Sequence, residues 1–314
     1  MLKEYLQFNS KKNNNNTSNT NTSSNNNTAI STNVINEKSP MFFAISNGSF
    51  ALAKELLYYY LSHSNRETKF DVNEADDYGY TPLHMASNGD DEMIMALLNC
   101  EGINVNLCNR DKNTPFHYFC QKYRYPNCNN LFKKFIEKGT DINALNHRGE
   151  TPLHKAILNS NVRLIMVNVL LEYGADVNIM TTRGDTPLHY AIHLEREDLV
   201  EALIQGGADI SLKERGKKTC YEVALEVGNQ KVIETMKKYQ DLYDWLKNLD
   251  LEQYFEKLVR NDFLMGQMHQ INEQVLNSLN IQISGHRLKF IKHCGILKLK
   301  LERAKEKRAL ERIQ

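Results

Sequence analysis

Four histidines recur at nearly regular intervals along the chain, and histidines can bind metal ions or transfer protons. They are His84, His117, His154 and His189. His117 also lies near Cys120 and Cys128, but these three residues match no standard zinc-ligand spacing. One histidine falls in each unit of a repeat, and stacked helix pairs hold neighbouring units about 10 Å apart. We therefore predict structural histidines and no catalytic, metal or cofactor site.

Each histidine ends a four-residue phrase that recurs through the middle of the chain. Thr81-Pro82-Leu83-His84 has close copies that begin at Thr114, Thr151 and Thr186, and successive threonines are 33, 37 and 35 residues apart. Degraded copies begin at Ser39 and Thr219. A second phrase, such as Asp141-Ile142-Asn143, recurs at the same period. Two phrases with one period predict a repeat protein.

The first phrase has the chemistry of a helix start. A threonine hydroxyl caps the free N–H groups of the first turn, and proline suits the next position because its missing N–H is not needed there. Gly174 and Gly207 follow apolar runs, as glycines that end helices do. Each unit is therefore predicted to be a turn, a short helix, a second helix and a glycine-ended loop.

This pattern resembles the ankyrin repeat over residues 38–239, with about six repeats. Lys112 departs from the pattern, because the other copies have a turn glycine at that position. Insertions are expected around residues 60–68 and 123–129. Residues 1–37 are rich in Asn, Ser and Thr, and we predict a disordered tail without chemistry there.

The resemblance implies that a protein partner binds at the hairpin tips and along the concave face. Tyrosine and arginine dominate the energetics of protein interfaces, and both types occur at the tips. The alternative is that these tips are simply polar loops exposed to solvent. The predicted partner-binding residues are Tyr78, Tyr80, Arg110, Asp111, Arg148, Glu150, Arg183 and Asp185.

After the repeats the period stops, and residues 240–299 carry a different helical pattern. The Trp245-Leu246 opening, the step from Leu251 to Tyr254, the Asn280-Ile281 turn and Gly285-His286-Arg287 resemble a SAM domain. The resemblance implies a five-helix bundle that often associates head to tail. Residues 300–314 are predicted to be a basic helical tail that extends the last helix. The predicted fold is therefore all-α, a solenoid followed by a small bundle.

Charge is distributed unevenly over this second module. Residues 241–279 hold seven acidic and three basic side chains, whereas residues 287–314 hold ten basic and three acidic ones. An acidic surface that meets a basic one favours association between copies, or with another SAM domain. The alternative is that the charges only solvate helix faces. The predicted interface residues are Glu256, Asp262, Glu273, His286, Arg287, Lys289 and Lys292.

These features together predict a non-catalytic scaffold or adaptor in signalling. RNA binding through the basic last helix is an alternative, although no aromatic stacking platform is evident and nucleic acid is not the expected partner. Regulation of a signalling enzyme is another, because ankyrin–SAM pairs occur beside kinase domains. The sequence contains no P-loop and no kinase catalytic-loop motif.

The expected location is the cytoplasm. The formal net charge is +1, the six cysteines form no CxxC pairs, and no stretch is apolar enough to span a membrane.

Overall fold

The computed structural model describes residues 39–62, 71–87, 90–122, 129–159 and 164–311. The predicted tail at residues 1–37 lies outside these ranges, as do Cys128 and most residues of the two predicted insertions. The described residues form fifteen α-helices, two short 3-10 helices and one two-stranded sheet. The predicted all-helical class, a solenoid followed by a small bundle, is confirmed. None of the described helices is long and apolar enough to cross a membrane.

In the part of the chain that the structure describes, six helix pairs follow one another, in agreement with the predicted number of repeats. First helices of successive pairs pack together, and most second helices do likewise. The pairs are α1 (Pro40–Ser46) and α2 (Phe50–Ser62), α3 (Pro82–Ala86) and α4 (Asp91–Asn99), α5 (Pro115–Lys122) and α6 (Asn129–Glu137), α7 (Pro152–Ile157) and α8 (Leu164–Glu172), α9 (Pro187–His193) and α10 (Glu197–Gln205), and α11 (Cys220–Val227) and α12 (Gln230–Lys247).

Helix starts follow the predicted capping chemistry. The hydroxyls of Thr81, Thr151 and Thr186 each accept a hydrogen bond from the histidine N–H three residues later. The degraded copies also cap their helices, since the Ser39 hydroxyl accepts from the Phe42 N–H and the Thr219 hydroxyl from the Glu222 N–H. Both degraded copies therefore keep the function of the phrase without its full sequence.

The hairpin tips pack backbone against backbone. A Cβ on Gly149, where φ is +70°, would lie 2.8 Å from the Thr182 nitrogen. Lys112 adopts the same left-handed backbone, with φ at 58°. The turn therefore keeps its conformation although lysine replaces the glycine found in the other copies. Before α11 the tip becomes a short sheet, in which β1 (Lys213–Glu214) pairs antiparallel with β2 (Lys218–Thr219).

The second phrase forms a ladder at the other end of each unit. Asn106 donates its side-chain N–H to the Gly139 carbonyl at 2.8 Å, and its side-chain oxygen accepts from the Asp141 N–H at 2.9 Å. Asn73 and Asn178 each make the same two kinds of bond with the next repeat. The side chains of these asparagines therefore join each repeat to the backbone of the next.

Apolar side chains fill the space between the helix layers. In the third repeat Phe116, Phe119, Phe132 and Phe135 are fully buried, with the Phe116 and Phe135 ring centroids 5.2 Å apart. Burial of one such side chain contributes about 1.5–3 kcal/mol. Because each unit packs on its neighbours, this apolar spine holds the hairpin tips in one row.

The second module begins inside α12, which also closes the last repeat. The predicted boundary between Tyr239 and Gln240 therefore falls within one continuous helix. The module continues through a 3-10 helix (Glu252–Tyr254), α13 (Phe255–Val259), a second 3-10 helix (Met268–Gln270), α14 (Glu273–Ser278) and α15 (Ser284–Glu311). α15 runs on into the predicted basic tail. Leu246, Leu258, Leu276 and Phe290 form the buried core.

Candidate protein-interaction surfaces

The four repeat histidines connect neighbouring repeats. In His84, Nδ1 accepts from the Thr81 N–H at 3.0 Å, and Nε2 therefore carries the proton that it donates to the Asn113 carbonyl at 3.0 Å. His117 and His154 make equivalent bonds to the carbonyls of Glu150 and Asp185. Burial lowers the pKa of each of these three rings to about 4.

His189 is the exception in this series, because its Nε2 faces the Cys220 thiol at 3.5 Å. Among the described residues, no group of three or more His, Cys, Asp or Glu side chains is arranged to hold a metal ion. Both nitrogens of the repeat histidines are engaged in structural bonds, which agrees with the structural role predicted for them.

Hydrogen bonds between backbones hold the hairpin tips of repeats two to five in one row. The Arg110 N–H donates to the Tyr78 carbonyl at 2.8 Å, and the His147 N–H donates to the Asp111 carbonyl at 2.9 Å. The Thr182 N–H donates to the Arg148 carbonyl at 2.9 Å. Three exposed arginines, Arg110, Arg148 and Arg183, occupy successive tips. We call the exposed residues Tyr78, Arg110, Asp111, Arg148 and Arg183 the tip surface.

Two observations indicate that the tip surface is available for binding. Within the described residues, none of its three arginines forms an ion pair. The Arg110 guanidinium instead lies over the Tyr78 ring, 5.2 Å from its centroid, and 62% of Tyr78 is exposed. A cation above a tyrosine ring at this distance is weakly attracted to the face of the ring. The arrangement presents a preformed cationic and aromatic edge.

Three of the predicted tip residues do not lie on this exposed surface. Glu150 is 2% exposed and Asp185 is 9% exposed, while Tyr80 is half-buried and its hydroxyl bonds to that of Tyr118 at 2.7 Å. The reason is their position directly before the capping threonine. There the hairpin meets the first helix of the repeat, and the side chain turns toward that helix instead of solvent.

A second row, on the first helices, was missed by the sequence analysis. It consists of Tyr118, Lys155 and Tyr190, each four residues after a capping threonine. The signal was present, because this position directly follows the constant histidine and varies from copy to copy. Tyr118 and Tyr190 are half-buried at this position, and Lys155 is buried.

Glu150 lies at the centre of a polar cluster formed with this second row. Its carboxylate accepts from Lys155 Nζ at 2.5 Å, from Asn146 Nδ2 at 2.9 Å and from the Tyr190 hydroxyl at 3.1 Å. Burial acts to raise the pKa of Glu150, but the bonds from Asn146 and Lys155 outweigh it and lower the pKa. Burial first, and then the Glu150 charge, raise the pKa of Tyr190. Glu150 is thus a fully compensated buried carboxylate.

Most of the predicted basic residues of the second module are engaged within the chain. Arg287 pairs with Glu273 and donates to Asn277 Oδ1 at 2.9 Å. Lys289 Nζ donates to the Leu249 carbonyl at 2.6 Å and lies 3.2 Å from Asp250. His286 Nδ1 lies 2.9 Å from the Tyr254 hydroxyl. Lys292 and Asp262 are the two predicted residues that are exposed and form no ion pair within the described chain.

Glu256 lies beside the last repeats and is also exposed to solvent. It pairs with Arg260 at 2.8 Å, and Arg260 donates to the Gly206 carbonyl at 3.0 Å. A Cβ on Gly207 would lie 2.9 Å from a Glu256 carboxylate oxygen. The predicted interface residue Glu256 therefore contributes to the junction between the repeats and the second module.

Comparisons with protein families agree with this architecture. A family model described as ankyrin repeats matches residues 4–109 and 123–214, and a model of the SAM domain (sterile alpha motif) matches residues 235–298. A chain in the solved complex of a Bdellovibrio bacteriovorus predatory endopeptidase with its immunity protein is similar in fold, with a TM-score of 0.53 and 23% identity. That match covers 64% of this chain and 98% of the other.

Two curated relatives from Dictyostelium discoideum are more similar in sequence. A probable serine/threonine-protein kinase is 54% identical over 83% of this chain and 30% of its own length. Stress-activated protein kinase alpha is 50% identical over 66% of this chain and 33% of its own length. This chain thus spans about a third of the length of either relative.

These relatives correct the prediction of a non-catalytic protein. That prediction was wrong, because proteins that align with most of the chain are named as protein kinases. It rested on the absence of catalytic motifs from the sequence. Ankyrin repeats and SAM helices contain no phosphate-binding motif, so their sequence cannot reveal a kinase.

Proposed function

The chain belongs to the ankyrin-repeat family and carries a SAM domain, and from this premise we propose that it is the protein-interaction region of a serine/threonine-protein kinase. In this proposal the tip surface holds a protein partner that the kinase phosphorylates. We place the protein in the cytoplasm. The six cysteines are scattered without CxxC pairs, a spacing that supports a reducing compartment.

One observation carries the proposal: the tip surface presents three arginines, one from each of three tips, that form no ion pair within the described residues and lie on a backbone held by bonds between repeats. Preorganised side chains lose little conformational entropy on binding, which favours affinity. Arginine can also bind carboxylates and phosphates through two parallel hydrogen bonds. The surface is therefore suited to an acidic or phosphorylated protein segment.

The kinase part of the proposal is supported by the two relatives, both of which are named kinases. Their similarity covers 83% and 66% of this chain. A surface that binds a protein beside a kinase activity raises the effective concentration of that protein. We infer that partner choice by this chain sets which proteins are phosphorylated.

The test expresses the tagged 314-residue chain in Dictyostelium discoideum and compares it with the variant Arg110→Glu, Arg148→Glu, Arg183→Glu. After precipitation, we expect a co-precipitating protein that carries phosphoserine or phosphothreonine with the unmodified chain and roughly tenfold less of it with the variant. The matched control is Lys133→Glu, Lys231→Glu, Lys237→Glu, which reverses three exposed charges on second helices. Equal recovery with the tip variant, or a partner that is not phosphorylated, would contradict the proposal.

The SAM domain is proposed to associate head to tail, with another copy or another SAM domain. Support comes from Lys292 and Asp262, which lie exposed and unpaired in the described chain, while Arg287, Lys289 and Glu273 bond internally. A contact that joins Lys292 of one copy to Asp262 of the next would be heterologous, and such contacts build rings or filaments. Association would present several tip surfaces together.

A further inference from the structure

One face of α15 continues beyond the core of the SAM domain. Phe290 and Cys294 on this face are buried. Leu297, Leu301 and Ala304 follow at steps of three, four and three residues, which keeps them on the same face of the helix. Burial decreases along this row, since Leu297 is half-buried, Leu301 is 37% exposed and Ala304 is exposed. We call Leu297, Leu301 and Ala304 the seam.

The spacing of the seam is that of a helix that packs along another helix. Steps of three and four residues average 3.5, which is the repeat of a two-helix coiled coil. Two leucines and an alanine form a narrow apolar stripe, whereas a helix that lies on a membrane surface typically has a wider apolar face with aromatic side chains. The seam therefore suits a partner helix more closely than a lipid surface.

The helix that carries the seam is held by the SAM domain. α15 is one continuous helix, and its first half packs into the core through Phe290. Nucleation is the unfavourable step of helix formation, whereas extension from an existing turn is easier. The seam is therefore helical before a partner binds, which lowers the entropic cost of binding.

Lysines border the seam on both sides. In a coiled coil, the residues that border the apolar row face the bordering residues of the partner helix and determine which helices pair. All four of these positions beside the seam are lysines, namely Lys298, Lys300, Lys305 and Lys307. Three of them, Lys298, Lys300 and Lys305, are exposed and form no ion pair within the described residues.

This charge pattern selects the partner. Two copies of the seam would place lysine against lysine in both the parallel and the antiparallel orientation, and like charges at these positions oppose pairing. Carboxylates at the bordering positions of another helix would instead pair with the lysines. We propose that the seam binds an acidic amphipathic helix of another protein, which has apolar residues at the same spacing and carboxylates on both borders.

The test measures the binding of labelled peptides to the full 314-residue chain by fluorescence anisotropy at low salt. Two peptides have three heptads with leucine at the apolar positions, and their bordering positions are all glutamate in one and all lysine in the other. A third peptide has the composition of the glutamate peptide, but its leucines do not share one face. We expect the glutamate peptide to bind about tenfold or more tightly than the other two.

Two variants of the chain test the seam and its borders separately. Lys298→Glu, Lys300→Glu, Lys305→Glu should exchange the preference, so that the lysine peptide binds more tightly than the glutamate peptide. Leu301→Gln should weaken binding of the glutamate peptide by about fivefold or more, because a leucine contact is lost. The matched control is Leu299→Gln, at a leucine that is 56% exposed on the opposite side of the same helix, and it should bind like the unmodified chain.

Several results would overturn the proposal. Equal affinity for the glutamate and lysine peptides would do so, as would equal losses for Leu301→Gln and Leu299→Gln. Tight binding of the third peptide would show attraction between charges without a seam. Binding to vesicles that contain phosphatidylserine, lost in Leu301→Gln and without binding of the glutamate peptide, would make the seam a membrane contact instead. A lower light-scattering mass of the triple lysine variant, again without binding of the glutamate peptide, would assign the lysines to association between copies.

Discussion

His117 donates its Nε2 proton to the Glu150 backbone carbonyl at 3.1 Å and thereby joins the third repeat to the fourth. The ring is 1% exposed, and its Nδ1 accepts from the Thr114 N–H at 3.1 Å. Only the neutral ring can make both bonds, since the protonated ring has no acceptor. The repeat stack is therefore built on histidines that must stay uncharged.

Acid is expected to destabilise the stack between about pH 6.5 and pH 4. Burial lowers the pKa of His84, His117 and His154 from 6.5 to about 4, so in this window the unfolded chain binds protons that the folded chain does not. Their contribution is complete above pH 6.5 and is lost as the pH falls toward 4. Each histidine contributes a slope of up to about 1.4 kcal/mol per pH unit. Urea unfolding at pH 7, 6 and 5 measures the change.

The control for this prediction is His147→Gln, which removes an exposed histidine at a hairpin tip. We expect the same dependence on pH as in the unmodified chain. A free energy of unfolding that stays constant from pH 7 to pH 5 would refute the role assigned to the three buried rings.

Gly149→Ala is expected to destabilise the chain more than Gly139→Ala. Both glycines have positive φ, at +70° and +79°, so both variants incur about 1 kcal/mol of backbone strain. A Cβ at Gly149 would also lie 2.8 Å from the Thr182 nitrogen, whereas nothing lies within 4 Å of a Cβ at Gly139. We expect an additional loss of roughly 1–3 kcal/mol for Gly149→Ala. Urea midpoints measure both, and equal losses would show that tip packing is looser than described.

The repeat, its helix starts and the role of its histidines could be predicted from sequence because local chemistry determines them. Thr151 caps its helix in whichever fold surrounds it, since the hydroxyl and the His154 N–H are three residues apart. The burial of Glu150 and Asp185 could not be predicted, because it depends on how a hairpin meets the first helix of its repeat. Charge counting likewise cannot tell whether Arg287 pairs with Glu273 of its own chain or of another.

Asn106→Ala is expected to weaken the contact between the second and third repeats. The substitution removes two bonds, from its side-chain N–H to the Gly139 carbonyl and from the Asp141 N–H to its oxygen. Each bond contributes about 0.5–1.5 kcal/mol, so we expect a loss of roughly 1–3 kcal/mol in the free energy of unfolding. Asn99→Ala, at an exposed asparagine on α4, is the control and should change stability by about 0.5 kcal/mol or less. A loss no greater than that of the control would mean that the ladder contributes little.

Association of the SAM domain is expected to depend on Lys292 and Asp262. Lys292→Glu and Asp262→Lys should each reduce the mass measured by light scattering, because each places like charges across the proposed contact. A mixture of the two variants should restore assembly with alternating copies, since the introduced glutamate then faces the introduced lysine and the remaining Lys292 faces the remaining Asp262 of the unlike copy. High salt should weaken assembly of the unmodified chain, as exposed charges are screened. Unchanged mass in both single variants would exclude this contact. Retention of RNA in a filter-binding assay would then show that the basic side chains of α15 bind phosphate.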